Sequence, residues 1–301
     1  MPDVPVADLI VEGNELVIGT HGRSFWVLDN IAALRQVTPR VMAAESHLYT
    51  PAPAVRSGTP LTITWKFASA PQAISLEVLD SAGAVLRSFE AAPAGGQAAG
   101  GFGGGRRGGG VTFIPRTAGV STFNWDLRTT PIVGFPGMIL WGAGLNGPVV
   151  PPGRYTLRLV ADGRTLTAPL VVKRNPLLPE VSDADLHAQY QFGRVVRDKA
   201  TEANQSVIEI RRVKDQLADR LKKSDDRALR TSGATLTTNA STVEEKIYQV
   251  KNQSGQDPLN YPIRLNNQIA ALAGVVSSAP ARPTRQTQTV FQVLAKQLDE
   301  E

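Results

Sequence analysis

Few residues in this 301-residue chain combine type and spacing in a way that suggests chemistry. The densest group is Gly19-Thr20-His21-Gly22-Arg23, with Trp26 three residues further on. An imidazole and a guanidinium beside a glycine and an indole can meet an anion or the polar groups of a partner, and turns are where such residues concentrate. The same side chains have a structural use: His21 caps the turn, and Arg23 pairs with a nearby carboxylate or stacks on Trp26. His21, Arg23 and Trp26 are therefore the candidate ligand or partner contacts. No residue is assigned a catalytic, cofactor-binding or metal-binding role, and no cofactor is expected.

The remaining candidates give no constellation. His47 and His187 are isolated, so no Ser-His-Asp arrangement can be assembled, and the absence of cysteine removes thiolate metal sites, disulfides and cysteine nucleophiles. Arg106 and Arg107 sit in the low-complexity stretch Gly95–Gly110. No Gly-Lys-Ser/Thr follows it, so a flexible inter-strand insertion is expected instead of a phosphate loop. Trp65, Trp125 and Trp141 are expected in core and interface positions instead of a sugar platform. Glu15 and Asp29 flank the candidate turn as solvated strand-end carboxylates.

Two apolar runs, Leu16–Ile18 and Phe25–Leu28, must position that turn, and a third, Val6–Val11, precedes Gly13-Asn14. Their lengths predict strands and their separators predict tight turns, which together make a β-meander. A meander this short cannot bury both of its faces, so the downstream chain or another polypeptide must cover it.

Residues Ile31–Val37 predict a short connector with a helical turn, and Tyr49-Thr-Pro-Ala-Pro-Ala predicts an extended crossing between domains. Period-two alternation then recurs in Leu61–Phe67, Ile74–Asp80, Val85–Phe89, Ser121–Arg128, Gly153–Val160 and Leu166–Val172. Short strands with turn signals between them predict an immunoglobulin- or fibronectin-like β-sandwich. The apolar, glycine-rich insertion Phe135–Leu145 is expected to pack against a neighbouring domain. Ser182-Asp-Ala-Asp185 reads as a helix start. Leu186, Val196, Ala200, Ala203, Val207, Ile210, Leu217 and Leu221 then form one stripe interrupted by Lys214, which predicts a helix of up to about 40 residues. A second seam, Leu236 to Val250, follows across Lys222–Gly233, and Pro262–Val276 and Thr284–Leu298 add two shorter helices. An antiparallel helical bundle is the economical assembly.

Hydrophobic residues make up 42 % of the chain and charged residues 20 %, as in an ordinary globular protein. The net charge of +5 is spread evenly: residues 1–180 carry 15 Lys/Arg against 12 Asp/Glu and the rest 17 against 15, so no dense basic face for nucleic acid is expected. No apolar run approaches the roughly 20 residues of a membrane span. Met1-Pro-Asp-Val-Pro-Val lacks the basic and apolar regions of a signal peptide.

Leu16-Val-Ile-Gly-Thr-His-Gly-Arg-Ser-Phe-Trp-Val-Leu-Asp29 resembles the end of the propeller in bacterial sortilin-like proteins, which carry BNR-type repeats and are often labelled glycosyl hydrolases. The resemblance continues through Phe123–Arg128, Phe135–Trp141 and Pro151–Arg158, and it is most specific in Asn252-Gln-Ser-Gly-Gln-Asp-Pro-Leu-Asn-Tyr-Pro-Ile-Arg-Leu-Asn-Asn267. It implies a multidomain β-then-α chain: a terminal β-propeller blade with connector over 1–48, an immunoglobulin-like sandwich over 49–177, and a helical bundle over 178–301. It also implies an exported, periplasmic or extracellular parent protein, and partners in missing upstream blades or another polypeptide. Two function classes follow. The chain is a non-catalytic scaffold or binding region supporting protein or peptide recognition, or it is the accessory end of a glycoside hydrolase whose carboxylates lie in upstream blades. The Ser-x-Asp-x-Gly-x-x-Trp box of such repeats is incomplete around Gly22 and Trp26. Self-association through the helical seam is a further expected route to a partner.

Overall fold

A computed structural model describes residues 3–92 and 112–301; the glycine-rich stretch 95–110, with Arg106 and Arg107, lies outside the described residues. β-sheets come first and a helical region follows. The described chain divides into two compact units, one built from residues 3–92, 112–127 and 151–179, the other from 128–150 and 180–301.

The first unit opens with three antiparallel strands, β1 (Val6–Glu12), β2 (Glu15–Thr20) and β3 (Phe25–Leu28), in the order β1-β2-β3. Gly13 lies at positive φ in the first turn, and both Gly22 and Ser24 do in the second. A short turn over Leu34–Gln36 follows, then α1 (Pro39–Ala43), which the Thr38 hydroxyl caps by accepting from the Val41 amide.

Two further sheets carry the core of this unit. β4 (Ser46–Leu48), β6 (Leu61–Phe67) and β9 (Gly119–Trp125) form one. β5 (Ala54–Val55), β11 (Arg164–Lys173), β10 (Gly153–Ala161), β7 (Ile74–Leu79) and β8 (Val85–Glu90) form the other, in that order. Strict alternation in β6, β7 and β10 sends Ile63, Trp65, Leu76, Val78, Leu157 and Leu159 fully inside. Phe89 of β8 and Phe123 of β9 meet with ring centroids 4.7 Å apart, so the sheets share a core. The β10–β11 hairpin closes through Asp162 and Gly163, both at positive φ as a two-residue hairpin turn requires, and the Asp162 carboxylate accepts from the Gln72 and Ala73 amides. Pro169 is tolerated inside β11 because β5 reaches only Val172 and Lys173, so no neighbour asks for its missing N–H. The three-residue β4 starts this β region at Ser46, ahead of the prolines that suggest the crossing.

The second unit is built on α2 (Asp183–Leu221), 39 residues long, whose Ser182 and Asp185 form a complete capping box. α3 (Arg227–Ile247), α4 (Leu265–Val276) and α5 (Arg285–Asp299) follow, and α2 packs against all three. Leu186, Val196, Ala200, Ala203 and Val207 are buried, whereas Ile210, Leu217 and Leu221 are only half-buried. α3 starts earlier than the apolar seam suggests, because the Asp226 carboxylate caps the Ala228 and Leu229 amides. Gly233 then lies inside a helix at a close approach: a Cβ there would stand 2.6 Å from Cδ1 of Leu221. Residues 128–150 have no regular structure of their own, yet Ile132 and Phe135 join the buried helical core and Met138, Leu140 and Leu145 pack against it.

Leu157 is fully enclosed in the shared sheet core. Leu157→Ala is expected to cost about 2–5 kcal/mol, read as a lower denaturant midpoint of the β unit.

Candidate functional site

The turn holding His21, Arg23 and Trp26 is fixed by backbone and by two side chains. The Thr20 amide and hydroxyl both donate to the Ser24 carbonyl, at 3.2 and 2.6 Å, and the Trp26 indole N–H donates to the Arg23 carbonyl at 3.1 Å. The His21 amide donates to Pro5 O at 3.0 Å. The imidazole of His21 and the guanidinium of Arg23 take no part: both are exposed, with no hydrogen bond, ion pair or ring contact among the described residues. Capping of the turn falls to Thr20, and what holds Trp26 to residue 23 is a carbonyl, not a cation. The turn therefore presents a cation and an imidazole to solvent on a constrained backbone.

The sheet beneath it is uncovered on both faces. Register places Leu9 opposite Ile18 and Val11 opposite Leu16 in one ladder, and Ile18 opposite Trp26 and Leu16 opposite Leu28 in the next. Leu9, Val11, Leu16, Ile18, Trp26 and Leu28 thus share one face, with no charge among them. Ile10, Val17, Val27 and Phe25 share the other, beside Asp8, Glu12 and Glu15. Every residue of β1 and β3 is exposed, Phe25 at 76 % and Ile10 at 58 %. An uncharged apolar face of this kind left at the surface marks an interaction site.

In the helical unit, side chains that periodicity does not reveal fasten residues 128–150. Asn267 clamps the backbone of Trp141 from both sides, accepting from its N–H at 2.6 Å and donating to its C=O at 2.9 Å. Asn204 donates to Val133 O at 2.7 Å and accepts from Asn266, while the Thr201 hydroxyl receives the Val133 amide. The Tyr248 hydroxyl accepts from the Ile139 amide. Behind them, the Glu244 carboxylate, 5 % exposed, takes Arg211 Nε at 2.7 Å and Lys214 Nζ at 3.0 Å. The Arg211 guanidinium also lies over the rings of Phe135 and Tyr248. Burial alone would raise the Glu244 pKa, but the hydrogen bonds and charges of Arg211 and Lys214 outweigh it and hold the carboxyl below its ordinary value. Lys214, the polar break in the α2 stripe, is thereby explained.

The most specific sequence motif has structural work here too. Asp257 accepts from the Gln253 and Ser254 amides and the Ser254 hydroxyl, which lower its pKa, and Asn266 and Asn267 are the clamps just described. Trp65 and Trp125 are buried, and Trp141 is partly exposed at its clamp. His47 is edge-on to Tyr49, and burial followed by the charge of Lys66 lowers its pKa; His187 is exposed on α2. Among the described residues no group of three or more His, Cys, Asp or Glu could hold a metal ion, and no helix is long and apolar enough to cross a membrane.

Because Glu244 is held low, its contribution to stability is present above the ordinary carboxylate value of 4.5 and is lost as pH falls through its lowered folded value. Glu244→Gln leaves two partly exposed cations without their partner and is expected to cost about 1–3 kcal/mol at neutral pH. The variant also flattens the acid limb, both effects read by denaturation of the helical unit at pH 7 and pH 4. Asn267→Ala orphans two backbone groups and is expected to speed amide exchange at Trp141 with about 1–3 kcal/mol lost.

No family model matches the chain, and no curated protein does. Among solved structures it is similar to the BSP domain of a biofilm-associated protein, with 10 % identity over 42 % of this chain and 15 % of that one, at a TM-score of 0.24. CopC from Methylosinus trichosporium OB3b matches at 16 % identity over 43 % and 95 % of the two chains, with a TM-score of 0.22. Dimeric latent PorU from Porphyromonas gingivalis matches at 11 % identity over 54 % and 12 %, with a TM-score of 0.25. The chain therefore spans a small part of the first and third of these proteins, and likenesses at this level say nothing of what it binds.

Proposed function

We propose that this chain is the non-catalytic C-terminal scaffold and binding region of a sortilin-like, BNR-repeat propeller protein that recognises protein or peptide. The observation that carries the reading is the β1–β3 sheet, exposed on both faces, one of them wholly apolar and the other bearing Ile10, Val17, Phe25 and Val27 among three carboxylates. A blade in the body of a propeller packs between two neighbours, which would cover the apolar residues on each side. The sheet is then the terminal blade, and its neighbours come from further blades of the same polypeptide or of another. The two larger sheets of the first unit are read as an immunoglobulin-like sandwich. The Tyr155 hydroxyl supports this by bonding Pro151 O four residues upstream at 2.6 Å, in the manner of a tyrosine corner. Sandwich and helices form the scaffold of this region, and His21 and Arg23 supply contacts at the propeller rim. The parent protein is exported in this reading.

The test is to express the chain with the propeller sequence of its parent and follow amide exchange at Leu9, Ile18 and Trp26. Protection rising at least tenfold is expected, and unchanged exchange would overturn the blade reading. On the same protein, binding to a peptide array without turnover of aryl glycosides fits a recognition scaffold, with His21→Ala/Arg23→Ala weakening binding about fivefold, or about 1 kcal/mol. Glycoside turnover lost on changing propeller carboxylates would instead make this chain the accessory end of a hydrolase.

A further inference from the structure

Side chains fasten both ends of the connector that joins the meander to the larger sheets. On the meander side, the Ile31 amide donates to Asn14 O at 2.9 Å and the Arg35 guanidinium donates to Gly13 O at 2.7 Å. On the other side, Gln36 grips the backbone of Thr50, donating to its C=O at 2.8 Å and accepting from its N–H at 3.0 Å. Between these fixings lie α1 and β4. One cation gathers the carbonyls at the end of α1: Lys66 Nζ of β6 donates to Met42 O at 2.6 Å and Ala44 O at 2.9 Å, and reaches Val41 O at 3.5 Å. Directly opposite Lys66 in the ladder stands His47 of β4, and cross-strand partners share a face. The His47 ring is half-buried and edge-on to Tyr49, with centroids 4.7 Å apart. Its Nε2 is shut off from water and has no hydrogen-bond partner. Glu45, two residues back on the same face, is ion-paired with Arg164 of β11, the second strand beside β4. Arg40 of α1 adds another cation, so no carboxylate in these elements is left to receive a proton's charge at His47.

We propose that His47 is a proton-operated latch on this connector: when the imidazole takes up a proton, the new cation beside Lys66 unseats α1 and β4 and loosens the attachment of the meander. The charged ring sets a second positive charge against Lys66 and carries an N–H with no acceptor, and both are unfavourable. The ring escapes only by leaving its place beside Tyr49, and Lys66 only by giving up the carbonyls of α1. Thr50, which Gln36 grips, follows Tyr49 directly, so a loosened β4 carries that grip with it. Burial, and after it the charge of Lys66, hold the His47 pKa below its ordinary 6.5. The stability that the neutral ring supplies is therefore present in full above 6.5 and is lost as pH falls from there through the lowered folded value. The latch acts on the attachment of the meander and does not depend on what covers its faces.

Amide exchange of the whole chain at about pH 7.5 and about pH 5, expressed as protection factors, reads the latch. Ala44, Tyr49 and Ala68, whose amides bond Arg40 O, Thr64 O and Glu45 O, are expected to lose about tenfold in protection at the lower pH. Leu76 and Leu157 in the sheet core are expected to keep theirs. Unchanged protection at the first three, or an equal loss at Leu76 and Leu157, overturns the latch. His47→Gln takes up no proton and is expected to hold its neutral-pH protection on acidification; an undiminished acid loss in that variant overturns it. Where His47→Gln is loosened at every pH, titration of the His47 ring decides, followed by proton resonance among only three histidines. The ring is expected to titrate below 6.5 in the unchanged chain and higher in Lys66→Met. Titration at or above 6.5, or no movement in Lys66→Met, overturns the coupling to Lys66.

Discussion

A backbone taken out of water must find partners for its N–H and C=O groups, and residues 128–150 do so without forming a helix or a strand. Their solution is to borrow side chains. Thr201, Asn204, Tyr248 and Asn267 supply donors and acceptors from three parts of the helical unit, while the segment's own groups add Thr129 N–H to Pro148 O and Ile132 N–H to Leu145 O. Apolar contact from Ile132 and Phe135 gives the segment a reason to bury, and the amides make the burial tolerable. Part of the bundle's polar interior meets this segment: without it Asn204, Asn267 and the face of Arg211 over Phe135 lose their partners.

The first unit solves the same problem by ladders. Its two larger sheets pair their backbones and alternate their side chains, so burial and hydrogen bonding are satisfied together in β6, β7 and β10. The β1–β3 sheet satisfies its inner backbone equally well and fails only on side-chain burial. That separation matters. A sheet that is correctly paired, correctly turned and wholly apolar on one exposed face is complete as a ladder yet incomplete as a surface.

Periodicity made much of this legible. The strands from Leu61 to Lys173 fall where alternation places them, because burial on one face leaves a mark at every second residue, and the three of the meander fall on their apolar runs. β4 and β5 were not legible: three and two residues are too few for a period, and prolines surround them. The start of α3 was misplaced by following apolar residues past Asp226, whose carboxylate decides the boundary. The buried polar cluster was invisible for a different reason. Asn204 meets Asn266 and Lys214 meets Glu244 across long separations in sequence, and nothing local announces such pairs. Asn266 and Asn267 stood out only as part of a motif, without a hint that they clamp a neighbouring segment. At His21 and Arg23 the position was legible and the role was not, since an exposed cation carries no record of what it meets.

α2 has a mechanical side. Val207 is its last fully buried residue, and from there to Leu221 the helix rises about 21 Å with α3 beside it and its seam half in water. Leu236, on the facing helix, is 50 % exposed. The hairpin is thus a lever anchored at its root and thinly buried along its length, with the close approach of Gly233 to Leu221 as the contact that holds its tip. A body gripping the tip would be able to bend or unzip it stepwise without disturbing the clamped segment at its root.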